Sequence, residues 1–132
     1  MPFPIDEKYI QQAEQQLGFI FPMSFKSKMQ QLNGGEVIAD DDQWQLFPFF
    51  DQADKKRINR TCNHILYETK QAQHWIGFPA HAIAIASNGA GDLLILQKSD
   101  HSHHLQETIY RWSHETGESK VIAKCFDQLK LV

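Results

Sequence analysis

The chain has 132 residues, 42% of them hydrophobic and 22% charged. That balance excludes a disordered chain and suffices for a core without metal or disulfide staples. Lys plus Arg is 13 and Asp plus Glu is 16, a net charge of −3, which argues against general nucleic-acid binding.

No apolar run approaches the roughly 20 residues of a membrane span. The N-terminal Met1-Pro2-Phe3-Pro4-Ile5-Asp6-Glu7 has neither the basic nor the apolar region of a secretory leader. A cytoplasmic protein is expected, with a single domain over residues 1–132 and with Cys62 and Cys125 as reduced thiols, a disulfide between them being the alternative.

Asp6 is a helix cap, followed by Ile10, Ala13 and Leu17 on one helical face and Gly18 as the stop. Pro22 opens a second helix with Phe25, Met29 and Leu32 on its apolar side, closed by Asn33-Gly34-Gly35. Gln43 to Phe47 alternates polar and apolar, the period of a half-buried strand, with Glu36 to Ala39 as its hairpin partner. Asp54 caps a third helix, on which Ile58, Cys62, Ile65, Leu66 and Thr69 form one buried stripe.

Ile83 to Ala86 and Leu93 to Leu96 are apolar on both faces, which predicts adjacent central strands. Thr108 to Trp112 is another alternating strand, and Glu115-Thr116-Gly117-Glu118 turns. Val121 to Leu131 closes the chain as a brief extended piece and a short helix. Segregated elements in this order predict an α+β fold with a mainly antiparallel sheet flanked by helices.

Asn88-Gly89-Ala90-Gly91-Asp92 has the look of a phosphate loop. A dinucleotide fingerprint needs a third glycine where Leu94 stands, and a helix where a strand follows. A hairpin turn is expected instead, with Asn88 and the glycines at φ > 0 and Asp92 bonding loop amides. His101-Ser102-His103-His104, with His114 further on, is the metal candidate. The three histidines lie too close together to converge without a tight loop, and no Cys or Glu stands near at ligand spacing. A polar connection between strands, with no metal and no cofactor, is the expectation. Cys62 and His64, at i and i+2 of a helix, point apart and form no catalytic dyad, and no catalytic residue is assigned.

Charge carries more information. Glu36, Asp40, Asp41, Asp42, Asp51 and Asp54 occupy a segment without Lys or Arg that also holds Trp44, Phe47, Phe49 and Phe50. Lys55, Lys56, Arg57 and Arg60 follow at once, where they oppose a helix dipole unless Asp51 and Asp54 compensate. The acidic hairpin reads either as a solvated loop or as a docking surface, with acids that steer a basic partner and an aromatic anchor.

Taken in order, Ala13-Glu14, Leu17-Gly18, Phe21-Pro22, Phe25-Lys26, Leu32 to Gly35, Ile76-Gly77-Phe78, Ile83 to Ala86, Asn88 to Asp92 and Tyr110 to Glu115 resemble the SUKH superfamily. The branch is the one named for the yeast cell-wall-synthesis regulator. The resemblance implies a mixed sheet with flanking helices and no enzyme activity. It further implies an immunity protein that binds and neutralises a cognate toxin, commonly a nuclease. An intracellular scaffold or regulator is the alternative. On this reading Asp40, Asp41, Asp42 and Trp44 are the expected partner contacts, with Asp92 and His114 next. The hairpin acids should contribute little to folding. The protein is expected to be a monomer or weak dimer that touches neither nucleic acid nor membrane.

Overall fold

The structure, a computed structural model, describes residues 3–100 and 102–132. Its elements in chain order are α1 (Glu7–Leu17), α2 (Met23–Gln31), β1 (Glu36–Ala39), β2 (Asp42–Leu46), α3 (Lys55–Arg60), α4 (Ile65–Ala72), β3 (Ala82–Ser87), β4 (Leu93–Gln97), β5 (Ile109–Trp112), β6 (Ser119–Ala123), a 3₁₀ turn (Phe126–Gln128) and β7 (Lys130–Leu131). This is the expected α+β class.

Asp6 caps α1 by accepting from Lys8 N at 3.0 Å, and Gly18 ends it at φ 80°. Pro22 takes the cap position of α2 rather than its first turn. Glu14 ties the two helices together, accepting from Phe21 N at 2.8 Å and from Lys26 Nζ at 3.2 Å. Beneath them Phe21, Phe25, Phe49 and Phe126 interlock with ring centroids 5.1–5.8 Å apart, a range in which edge and offset contacts add to plain burial.

The seven strands lie in the order β6-β5-β4-β3-β2-β1-β7. Ile83 to Ala86 and Leu93 to Leu96 are neighbours in its middle, as their two-sided apolar pattern predicted, and Leu94 and Ile95 have no exposed surface. The expected mixed sheet is corrected. Every pairing between named strands is antiparallel, and among the described residues parallel geometry survives only in one isolated bridge, Ile20 to His104. Tight hairpins join β1 to β2, β3 to β4 and β5 to β6, and such connections admit only antiparallel strands.

Two further corrections concern helices. The stripe from Ile58 to Thr69 is split between α3 and α4, and Cys62 is exposed rather than packed in the core. Side-chain bonds at Thr61 and His64 compete with helix continuation. Thr61 Oγ1 donates to Arg57 O at 2.8 Å and accepts from Asp51 N at 3.0 Å, and His64 Nδ1 restarts the helix by accepting from Tyr67 N at 3.2 Å. Only Ile65, Thr69 and Ala72 of the second piece are buried. At the C-terminus the short helix is a single 3₁₀ turn, which seats Phe126 and Leu129 in the core before β7 pairs with β1.

The basic start of α3 is compensated as expected. Asp54 caps it through Arg57 N at 2.8 Å, Asp51 lies 3.8 Å from Arg57, and Arg57 and Arg60 sit over the Phe3 ring at 4.8 and 4.9 Å.

Candidate functional site: an acidic hairpin latched by Arg111

β1 and β2 are joined by two residues, Asp40 and Asp41, with φ of 53° and 57°. Positive φ at both central positions makes the tight turn whose twist matches the strands it connects. Aspartate tolerates this region better than most side chains, though less well than glycine.

β5 lies three strand spacings from β2, about 14 Å along a flat sheet. Arg111 on β5 nevertheless reaches the β1–β2 hairpin, so the sheet curls and Arg111 bridges its concave side. Its Nη1 lies 3.2 Å from Asp40, its Nη2 3.2 Å from Asp42 and 2.9 Å from Asp92, and its Nε donates to Asp92 at 3.1 Å. The guanidinium plane covers the Trp44 ring at 4.9 Å. Lys120, across from Arg111 on β6, adds a second cation 3.0 Å from Asp40.

The remaining bonds lock the carboxylates. Asp42 accepts from Asn88 Nδ2 at 3.0 Å and from Gln43 N at 2.9 Å. Asp92 accepts from His114 N at 3.2 Å and lies 2.7 Å from His114 Nδ1. The Asn88 amide, the Gln43 N–H and Arg111 hold the Asp42 carboxyl below the usual carboxylate range. Burial opposes ionisation of Asp92, but bonds from His114 and Arg111 outweigh it and its pKa is also lowered. Burial likewise opposes the charge on Arg111, and its three carboxylates overcome that and raise its pKa. Gly91 keeps this corner open. At φ 106° it favours glycine, and a Cβ there would meet the His114 ring at 2.8 Å.

Of the residues expected at the partner surface, the fold brings Asp40, Asp42, Asp92 and His114 into one network. Asp41 stays outside it, exposed at the turn. Trp44 is corrected: it has no exposed surface and cannot be an interface anchor. It pairs with Val37 on the buried side of the hairpin, donates Nε1–H to Ala39 O at 3.0 Å, and is roofed by Arg111. The hairpin acids are not structurally idle either. No cation neutralises them along the chain, but Arg111 and Lys120 do so in space from 69 to 80 residues away.

The 88–92 segment is the expected turn between central strands. Gly89 and Gly91 have positive φ while Asn88 does not, and Asn88 Oδ1, not Asp92, accepts from the turn amide Ala90 N. Sequence reasoning gives Arg111 and Lys120 no site role and reads Asn88 only as a turn residue. The one sequence signal for Arg111 is its place between Tyr110 and Trp112 in the alternating strand. His101 of the histidine cluster lies outside the described residues. His103 and His104 are exposed, and among the described residues no three His, Cys, Asp or Glu side chains converge as metal ligands.

Three carboxylates against two cations leave this network negative by one charge when His114 is neutral. Asp41, Glu115 and Glu118 add charge around it, and none of them forms an ion pair among the described residues. The chain is thus an α+β protein with a curled antiparallel sheet and an acidic face built on its hairpin turns. It belongs to the SMI1 / KNR4 family (SUKH-1), which it matches over residues 4–130. A search of curated proteins finds no match. No helix among the described residues is long and apolar enough to cross a membrane.

Proposed function

We propose that this chain is an immunity protein that binds and neutralises a cognate bacterial toxin, a nuclease, in the cytoplasm, and that it acts without a cofactor or catalysis of its own. Family membership supports the general role. The observation that carries the nuclease is the acidic face. Asp41 projects from a rigid turn whose neighbours Asp40 and Asp42 are pinned by Arg111, with Glu115 and Glu118 close by in sequence to His114. A nuclease cleft is basic because it binds phosphates, so a fixed negative surface is attracted to it and can bar nucleic acid from entering. Fixing the carboxylates in advance spares the ordering cost of binding.

The test is co-expression with the nuclease toxin encoded beside this gene. The toxin alone should arrest growth, and this chain should restore it. The purified chain should suppress cleavage of DNA or RNA at a one-to-one ratio, and Asp41→Lys should weaken binding about tenfold, or about 1.4 kcal/mol. Absence of both protection and inhibition at stoichiometric concentration would overturn the proposal and favour a scaffold or regulatory role.

A further inference from the structure

Ile76 stands at a loop tip with 96% of its surface exposed, and Trp75 beside it is 43% exposed. Single apolar residues at the surface are ordinary, but this tip is held unusually firmly from below. Trp75 stacks on the buried Trp112 at 5.7 Å, and Phe78 meets the same indole edge-on at 5.3 Å. Trp112 Nε1 donates to Gly77 O at 3.1 Å. Gly77, at φ 85°, lies so close to Gly117 that a Cβ on it would stand 3.0 Å from the Gly117 Cα.

The segment from Gln73 to Ala80 contains no Asp, Glu, Lys or Arg. Its neighbour is the β5–β6 turn, closed by bonds from Gly117 N to Ser113 O and from Ser113 N to Glu118 O. That turn carries Glu115 and Glu118 and begins at His114, which is bonded to Asp92. The apolar tip and the acidic β5–β6 turn are therefore adjoining parts of one surface, in contact at Gly77 and Gly117.

We infer that Ile76 and Trp75 form the apolar anchor of this surface, inserted into a pocket on a basic protein partner whose Lys and Arg side chains meet the surrounding acids. The inference rests on the toxin-binding reading for the partner's identity and adds where the binding energy is concentrated. A few desolvated anchors ringed by polar contacts carry most of the affinity in such interfaces, and an anchor already fixed by Trp112 and Gly117 loses little freedom on docking. A second copy of this chain is a poor occupant, because it would bring Glu115 and Glu118 against their own like charges.

The experiment places a benzoyl-phenylalanine photo-crosslinker at position 76 in cells of the natural host, with a control at Gln31 on α2. The captured protein is identified and purified, and then titrated calorimetrically with the unmodified chain. A basic protein should be captured from position 76 and not from position 31. Ile76→Asp should weaken its binding at least 100-fold without moving the melting temperature, since the side chain is exposed. Glu115→Lys with Glu118→Lys should weaken it about tenfold and flatten its salt dependence. An acidic or neutral partner, an adduct with a second copy, no adduct above the control, or binding within threefold of wild type in Ile76→Asp overturns the inference. A basic partner that meets these figures but does not arrest growth refutes the toxin reading alone. A growth-arresting partner indifferent to Ile76→Asp refutes the anchor alone.

Discussion

Replacing Arg111 by alanine removes one side chain that holds three carboxylates and roofs a tryptophan. The side chains of Arg111, Asp40, Asp42 and Asp92 are 22%, 26%, 36% and 15% exposed, so the pairs are partly screened and the large figures for fully buried pairs do not apply. Exposed pairs contribute about 0.2–1 kcal/mol each, and a cation over an indole about 0.5–1 kcal/mol. Three pairs and one stacking contact give a loss of about 2 kcal/mol at neutral pH, before any repulsion among the stranded carboxylates. Arg111→Lys keeps the charge but not the planar fork, and should recover less than half of that.

Urea denaturation followed by tryptophan fluorescence measures the difference. Asp42 and Asp92 have lowered pKa values in the folded state. Their contribution is therefore complete above the unfolded value of about 3.9 and fades as pH falls through the folded values. Arg111→Ala removes part of what lowers them, so the gap between the two proteins should be full at pH 7 and shrink as pH drops below about 4. A loss under 0.5 kcal/mol at pH 7, or a gap constant down to pH 3, would refute the latch.

Asp41→Gly should stabilise the protein by about 1 kcal/mol in the same urea assay, because glycine adopts the φ of 57° without the side-chain penalty. Leu94→Ala should destabilise it by about 2–5 kcal/mol, since Leu94 is fully enclosed in the central strand. His64→Ala should cost about 1 kcal/mol through loss of the α4 cap. Burial, helped by Lys70, lowers the His64 pKa. Its stabilising effect is therefore present above the unfolded value of about 6.5 and lost as pH falls through the folded value, and thermal melts of wild type and His64→Ala from pH 8 to 5 should converge on acidification.

Local signals in the chain specify most of the elements. Asp6 with Gly18 bounds a helix, and the two-sided apolar runs at Ile83 to Ala86 and Leu93 to Leu96 mark the sheet centre, because capping and hydrophobic period act within a few residues. The acidic segment also announces itself as a hairpin with candidate partner acids. What its acids do is a different matter. Curling of the sheet brings Arg111 and Lys120 over Asp40 and Asp42, and buries the alternating Trp44 beneath the guanidinium. The break at Thr61 depends on an amide supplied by Asp51, and β7 forms only because β1 lies waiting for it. These features depend on contacts between residues far apart in the chain. No window of sequence contains both partners of such a contact, so which acids are spoken for and which stay free appears only once the strands have paired and curled.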